Sequence, residues 1–329
     1  MYQNASAEFR PELHAVVEEA MAIDTKFIGD MLFPTFGVTT RTGYYAKIKR
    51  GKGQLLKNLA TSGSTADPLR RAPGTAYQEF TRTHENASWN TVDRGLKTNV
   101  DDVNAQDISR FFDMEAADSK WLMRMIRIYR ETRIAAFLHS ESIWGTPLES
   151  DIAFLEANIA TFDAPSLIKE AKRTIDKRQE DCNTLQMSRN LFDLITSSTK
   201  MVQYCFGSLA GQSQVTADVI AAKFGFSQIL IGNASFDTTK KGADSSDANL
   251  QWVWGDDYMF VGNVQGGPPE AGGIGRTFVL EDLTNGGALF VPESYRDEDK
   301  RSNVLRIRQD CEENTVNETA GLLIKVNNL

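Results

Sequence analysis

The chain has 329 residues, a formal net charge of -8 at pH 7 and an apolar content of 41%, which is typical of a soluble globular protein and excludes general disorder. The acidic balance argues against tight, sequence-independent DNA binding, because such binding needs many Lys and Arg contacts to phosphate. No window approaches the roughly 18 apolar residues of a membrane span, and the N-terminus lacks the apolar core of a signal peptide, so a cytosol-like compartment is expected.

Residues 1–40 are predicted to form an N-terminal arm. A short helical pattern from Pro11 to Ala22 leads into an apolar run, in which Pro34 and Gly37 prevent a long helix. An arm with this much apolar surface and little structure of its own is expected to pack on other structure. The residues expected to make these contacts are Phe27, Met31, Leu32, Phe33 and Phe36.

Residues 41–89 predict a long projecting hairpin, the extended loop. Two strand-like pieces flank a polar middle that is rich in turn formers. An isolated hairpin is marginal in water, so this one needs support from neighbouring structure. The segment is basic, because Lys47 to Lys57 holds five basic residues and no acidic one, and Arg41 through Arg82 holds nine Lys or Arg against two Asp or Glu. Such a loop could contact phosphate or an acidic protein surface.

Residues 90–162 contain the clearest element, a single helix from about Ala105 to Phe137. It has about thirty residues and a length of roughly 45 Å. The predicted apolar face consists of Ile108, Phe111, Leu122, Met125, Ile126, Tyr129, Ala136 and Phe137. The predicted polar face consists of Asp113, Lys120, Arg124, Arg127 and Glu131.

Residues 163–285 alternate short helices with strands, which predicts an α+β architecture. One helix is expected to begin near Ala164, and Thr216 is expected to cap another that Gly225 ends. Residues 286–329 then return as strands, with Asn285-Gly286 marking a turn.

The search for catalytic motifs finds none that is complete. His84-Glu85 lacks the second histidine of a zinc-binding helix, and Gly51-Lys52 lacks both ends of a phosphate-binding loop. Ser208 lacks the glycines of a nucleophile elbow. Gly273 and Gly275 lie in a Pro/Gly loop, where unusual backbone angles explain them better than a dinucleotide site.

The remaining polar and aromatic clusters favour structural roles. Paired aspartates such as Asp101-Asp102 and Asp256-Asp257 more often cap helices or solvate turns than bind a metal. The aromatic strand with Trp252, Trp254, Tyr258 and Phe260 carries no Lys or Arg, so core or interface packing is expected. The three cysteines, Cys182, Cys205 and Cys311, are expected to be reduced thiols. The sequence therefore predicts neither an enzyme nor a cofactor or metal site.

In the order of these segments, the sequence resembles the major capsid proteins of tailed bacteriophages, which have the Hong Kong 97-like fold. The layout matches over nearly the whole chain: arm, extended loop, spine helix (Ala105 to Phe137), axial part and return strands. The most family-like stretches are TADVIAAKFGFSQILIGNASFD, VWGDDYMFV and SNVLRIRQDCEENTVNETAGLLIKVNN. The resemblance implies an α+β capsid fold with a peripheral and an axial domain. The peripheral domain would consist of residues 90–162 and 286–329, and the axial domain mainly of residues 163–285.

The resemblance also implies a structural role. The protein is expected to assemble with itself into hexamers and pentamers that form an icosahedral head shell around packaged double-stranded DNA, without sequence-specific DNA contacts and without a membrane. Further expected partners are a separate scaffolding protein, a portal and, in some relatives, decoration proteins. The expected location is the virion, after assembly in the host cytoplasm.

The extended loop of this family reaches over an adjacent subunit. Its basic residues are therefore expected to meet an acidic surface on a neighbour, where complementary charge sets register more than affinity. These residues are Lys47, Lys49, Arg50, Lys52, Lys57, Arg70 and Arg71.

Other functions remain possible on the sequence alone. An encapsulin-type shell of a cellular nanocompartment shares the fold, and genomic neighbours would distinguish it. A soluble enzyme with an unrecognised site predicts a small oligomer and a concave polar pocket. A nucleic-acid-binding protein that uses the basic loop predicts strongly salt-dependent affinity.

Overall fold

The fold is described by a computed structural model. It covers residues 8–9, 13, 15–16, 19, 26–47, 71, 73–76, 85–108, 113–150, 156–207, 214–239, 249–281 and 289–326. The helices of these residues are α1 (Gly29–Leu32), α2 (Asp102–Ile108), α3 (Met114–Leu138), α4 (Glu141–Trp144), α5 (Ala164–Lys177), α6 (Arg189–Ser197), α7 (Thr199–Phe206) and α8 (Ala217–Phe224). The strands are β1 (Glu8–Phe9), β2 (Thr35–Val38), β3 (Thr42–Lys47), β4 (Glu85–Asn90), β5 (Val92–Asp101), β6 (Leu148–Glu149), β7 (Thr184–Ser188), β8 (Gln228–Gly232), β9 (Ser235–Asp237), β10 (Leu250–Trp252), β11 (Tyr258–Gly262), β12 (Gly275–Leu280), β13 (Val291–Asp297), β14 (Ser302–Thr315) and β15 (Gly321–Lys325).

One sheet, six-stranded in the described residues, is built around β14. β14 is 14 residues long, so β13 and β12 pair one after the other along one edge while β5 pairs along the opposite edge. β2 of the arm adds to this sheet parallel to β12. Burial alternates along β14, which is the expected pattern for a strand with one face on a core. That face packs on α3, where Leu305 and Ile307 meet Leu122 and Ile126.

A second sheet has the strand order β6-β15-β11-β7-β8. Every residue of β7 is buried, because helices α5 to α8 pack around this sheet. The helix boundaries follow the sequence predictions. Asp163 and Thr216 cap α5 and α8 through hydrogen bonds to Ser166 and Val219. Gly225 ends α8 in the left-handed region at φ 69°.

The segments predicted as domains do not separate cleanly between the two sheets. β12 lies within the predicted axial segment, residues 163–285, but belongs to the sheet of β14, and β15 of the return segment lies in the sheet of β7. The division of the chain into domains stays a prediction. Within the described residues, no helix is both long enough and apolar enough to cross a membrane.

The predicted spine helix is interrupted, which corrects the expectation of one continuous helix. α2 covers Asp102–Ile108 and α3 begins only at Met114. The reason is Asp113, which has an extended backbone with ψ 108° and accepts a hydrogen bond from the Ala116 amide. An aspartate in this conformation starts a new helix, because its carboxylate satisfies an amide that has no partner within the helix.

The predicted faces of this helix are correct for Leu122 and Ile126, which are buried, and for Lys120 and Arg124, which are exposed, but wrong at other positions. Arg127 and Glu131, which were expected on the polar face, are buried, whereas Tyr129, which was expected on the apolar face, is exposed. The reason lies in the arm and the sheet, which supply partners for charged side chains on the inner face of α3.

Candidate assembly surfaces

The root of the extended loop is an aromatic stack on the sheet. β3 and β4 pair antiparallel in the register Thr42↔Asn90 to Lys47↔Glu85, as expected for a hairpin. The Trp89 ring stacks on Phe278 of β12 at 5.4 Å and 8°, and Tyr45 packs beside both rings. Offset aromatic pairs of this kind contribute more than their buried area alone. The root is thereby held at a fixed angle to the sheet.

Polar contacts hold the same root. The Tyr45 hydroxyl donates to the Thr315 carbonyl at 2.6 Å. Burial raises the pKa of Tyr45, and the charges of Glu312 and Glu318 raise it further, so the hydroxyl remains a donor. The Trp89 indole N–H donates to the Thr40 carbonyl at 3.1 Å. The Tyr45 bond ties the two-stranded hairpin to β14, and the Trp89 bond ties it to the segment that precedes β3.

Two of the basic residues predicted for intersubunit contact lie in the described part of the chain. Lys47 Nζ pairs with Glu318 Oε1 of its own chain at 2.8 Å. Arg71 Nε donates to the Thr75 carbonyl at 2.6 Å. The intersubunit role of the loop stays a prediction for both. The other five residues lie outside the described residues: Lys49, Arg50, Lys52, Lys57 and Arg70.

The arm residues pack mainly on their own chain. Leu32 and Phe33 are fully buried and share a core with Ile134 and Leu138 of α3. The arm is therefore anchored to α3 within the subunit. The backbone of the arm is also anchored, because its strand β2 forms hydrogen bonds with β12.

The other predicted arm residues lie around this anchor. Phe27 is buried beneath the Arg127 guanidinium, whose central carbon lies 4.3 Å from the ring centroid. Phe36 packs edge-to-face on Phe278 with centroids 5.9 Å apart. Met31 is 53% exposed. Met31 is thus the one of these five side chains that the arm presents to solvent.

A buried ionic cluster, which sequence reasoning missed, joins the arm, α3 and β14. Arg130, only 3% exposed, contacts Asp30 of α1 on one side and Glu313 of β14 on the other. Arg133 forks onto Glu313 with contacts of 2.9 and 2.8 Å. Burial alone would raise the pKa of Glu313, but the hydrogen bond from Arg133 and the charges of Arg130 and Arg133 hold the pKa below its usual value. Glu313 is therefore an ionised carboxylate inside the protein.

Glu131 forms a second buried contact to the arm. Its carboxylate accepts the Ile28 and Gly29 amides, both at 2.9 Å, and the Trp254 indole N–H at 2.8 Å. Burial raises the pKa of Glu131 despite these three donors. The helical spacing in the sequence indicates this cluster. It places Arg127, Arg130 and Glu131 on the same face of the helix as the buried Met123, Ile134 and Leu138.

The paired aspartates that were weighed as catalytic groups have structural partners. Asp101 Oδ1 accepts the amides of Val103 and Asn104 at the start of α2, the capping role that was predicted. Asp256 accepts from the Ser188 hydroxyl and from Asn190. Among the described residues, no group of three or more His, Cys, Asp or Glu side chains is placed to hold a metal ion.

The Pro/Gly loop is organised by a buried arginine. Arg276 donates to the carbonyls of Gly266, Gly267, Gly272 and Gly275 at 2.7 to 3.2 Å. Positive φ angles occur at Gly267, Gly272 and Gly273, of 90°, 89° and 92°. This confirms the prediction of unusual backbone angles for Gly273. Gly275 has no positive φ, and a Cβ there would instead meet the Phe33 ring at 2.5 Å. The loop lies against β3 and so supports the root of the hairpin.

The whole fold is similar to solved phage structures. A phage-related protein from Bordetella bronchiseptica RB50 has 18% identity, coverage of 98% of each chain and a TM-score of 0.67. The capsid protein of cyanophage P-SCSP1u has 13% identity, covers 91% of this chain and 87% of that chain, and has a TM-score of 0.56. The mature capsid of bacteriophage PhiM1 has 12% identity, coverage of 90% and 85%, and a TM-score of 0.50.

Comparison of sequences alone gives no match, either to a family model or to a curated protein. The assignment of the fold therefore rests on structural similarity, which extends over nearly the whole chain. The chain has the α+β fold of phage capsid proteins, as the sequence predicted.

Proposed function

We propose that this protein is a major capsid protein whose copies form the icosahedral head shell of a tailed bacteriophage. The observation that carries the proposal is the coverage of about nine-tenths of both chains in the match to a phage capsid structure, 91% and 87%. A match of this extent takes in most of both chains and not a single shared element. The subunit acts through surfaces and not through catalysis.

In this role the subunits form hexamers and pentamers through contacts between copies. The root of the extended loop is fixed to the sheet of β14 by Tyr45 and Trp89. The basic residues beyond the root are proposed to contact a neighbouring copy. The chain carries a net charge of -8, which supplies acidic surface for such contacts. Each exposed pair contributes only about 0 to 1 kcal/mol, but the contact repeats over the whole shell.

The remaining parts of the proposal concern the virion. The shell encloses double-stranded DNA without sequence-specific contacts, and an acidic subunit suits an inner wall that does not hold the DNA tightly. A separate scaffolding protein, a portal and decoration proteins would complete the particle. Assembly would take place in the host cytoplasm.

The intersubunit role of the loop is tested by reversing its charge. Lys49→Glu, Arg50→Glu and Lys52→Glu are combined, and Lys47 is left unchanged because its ion pair with Glu318 holds the root. We expect large particles from the wild type and only capsomers or subunits from the triple variant, measured by sedimentation velocity. The matched control combines Lys49→Arg, Arg50→Lys and Lys52→Arg, which keeps the charge and should assemble. Equal assembly of the triple variant and the control would contradict the role given to the loop.

A further inference from the structure

The outer edge of β5 is open. β5 pairs antiparallel with β14 along its full length of ten residues. Among the described residues, no strand pairs with its other edge, and no backbone hydrogen bond from another segment reaches residues 93–100 on that side. Such an edge presents a row of N–H and C=O groups without partners, which is a template for a further strand.

β5 lacks most of the features that protect edge strands. It is long and contains no proline, and its register with β14 runs over ten consecutive pairs without a bulge. Its alternate residues Asp93, Gly95, Lys97 and Asn99 are exposed. Lys97 is the one feature that hinders pairing, because a lysine on an edge strand has to be accommodated by any partner. A partner strand of β5 therefore needs an acidic residue opposite Lys97.

Asp93 and Lys97 form a self-complementary pattern of charge. They lie four residues apart, so both side chains point to the same face of β5. Neither side chain has an ion pair or hydrogen bond with the described part of the chain. In an antiparallel pair of two β5 strands centred on Gly95, Asp93 of each copy lies directly opposite Lys97 of the other. Opposite charges in this position stabilise a strand pair, and by symmetry the contact occurs twice.

Other registers of the same pair are less favourable. A centre on Asp93 or Lys97 sets like charges opposite each other, and a centre on either neighbour of Gly95 sets neither charge opposite its counterpart. A centre on Asn99 would set Lys97 against Asp101, but that carboxylate already accepts the first amides of α2, and the overlap falls to residues 97–101. The charges therefore select the register about Gly95.

A second copy fits this edge better than an unrelated strand does. An unrelated strand would need an acidic residue at the one position opposite Lys97 and a basic residue opposite Asp93. A second copy supplies both at the required spacing, together with an open edge of equal length. A self-complementary surface of this kind is what a two-fold contact between identical subunits requires.

We propose that the outer edge of β5 pairs antiparallel with the same edge of a second copy, about a two-fold axis at Gly95. A two-fold contact closes at two copies, so it cannot build a ring of five or six subunits. It would instead join a subunit of one ring to a subunit of the next. The inference rests on the proposed shell role for this placement, and it concerns a different surface from the extended loop.

Cysteine cross-linking tests the contact and its register. Asp93→Cys and Lys97→Cys are combined in one chain. Within the chain these positions lie about 13 Å apart along the strand, which is too far for a disulfide. Across the proposed pair, opposite Cα atoms lie about 4.5 to 5.5 Å apart, which is within disulfide range. After mild oxidation, we expect a dimer and no larger species on a denaturing gel without reductant.

The single variants are the matched controls. Asp93→Cys alone and Lys97→Cys alone should give no dimer, because equal residues of the two copies lie about 13 Å apart in this register. A mixture of the two single variants should give the dimer. The wild type, which has three cysteines of its own, is oxidised in parallel as the blank. A dimer from either single variant at the yield of the double variant would overturn the register.

A charge exchange tests the same contact without cross-linking. Lys97→Asp should weaken the association of two copies by about tenfold, because it sets Asp93 against an aspartate twice. Adding Asp93→Lys to the same chain should restore the association, since the exchanged charges are again complementary. Sedimentation velocity over a range of protein concentrations measures the association. Both side chains are exposed, so thermal unfolding monitored by circular dichroism should show that the variants fold.

Three further results would overturn the inference. The first is the absence of a dimer from the double-cysteine variant. The second is a ladder of larger cross-linked species, since a two-fold contact ends at two copies. The third is a charge exchange that fails to restore the association. Closed shells without the cross-linked dimer would leave the proposed function intact, whereas the dimer without shells would contradict the shell role and support the pairing of β5.

Discussion

Glu313 is the carboxylate on which two arginines of α3 converge. It receives Arg130 and Arg133 inside the protein, and Arg130 also reaches Asp30 of the arm. A buried ion pair stabilises a fold less than its number of contacts suggests, because burial removes water from both charges. Removal of one partner lowers the free energy of unfolding strongly, because the other charge is left buried without a partner. The cluster therefore ties the position of the arm to that of β14.

Glu313→Gln should lower the free energy of unfolding by about 3 kcal/mol, since it leaves the buried Arg130 with Asp30 alone and the half-buried Arg133 without its carboxylate. It should also change the pH dependence. The pKa of Glu313 is lowered in the folded state, so its stabilisation is present above its unfolded value of 4.5 and is lost as the pH falls through the folded value. Urea unfolding at a series of pH values measures both effects.

The wild type should therefore lose stability on acidification below about pH 4.5 more steeply than Glu313→Gln. Glu298→Gln is the matched control, because that side chain is 82% exposed. It should behave as the wild type does. Parallel pH curves for Glu313→Gln and the wild type would show that Glu313 is not the titrating group.

Helix α3 shows how local rules set the length of an element. Asp113 caps its start, and His139 follows its last residue, Leu138. The 25-residue helix that results spans from the sheet of β14 to the core shared with the arm. Its start is decided by one side-chain hydrogen bond, of 3.2 Å, from the Ala116 amide to Asp113.

Asp113→Ala should lower the free energy of unfolding by about 0.5 to 2 kcal/mol, because the first turn of α3 loses the acceptor for an unpaired amide. Asp113→Asn and Asp113→Ser should restore most of the loss, since both side chains can cap a helix. Urea unfolding at neutral pH is the measurement. A stability of Asp113→Ala equal to that of the wild type would contradict the capping role.

Local signals in the sequence predicted many elements correctly. Thr216, Gly225 and Asp101 are found in the capping roles expected of them, because a cap depends on a few adjacent residues. The break before Met114 was missed, because Asp113 was assigned to a polar face and not to a cap. The inward charges of α3 were missed because their partners, Asp30 and Glu313, are distant in sequence and no local pattern identifies them.

The whole subunit has surfaces that its own core does not use. The extended loop is fixed at its root, the arm adds a strand to the sheet, and α3 exposes the rings of Trp121 and Tyr129. The order of these segments along the chain allowed the fold to be predicted, since each has a distinct composition. The contacts made by the basic tip could not be derived in the same way, because they depend on another molecule.

Negative-stain electron microscopy of the purified wild-type protein tests the shell role most directly. Closed icosahedral particles, or rings of hexamers and pentamers, are the expected result. The protein should be imaged alone and after co-expression with the genes that neighbour its own, so that a requirement for a separate scaffolding protein is covered. Small soluble particles under both conditions would contradict the shell role and favour a soluble enzyme.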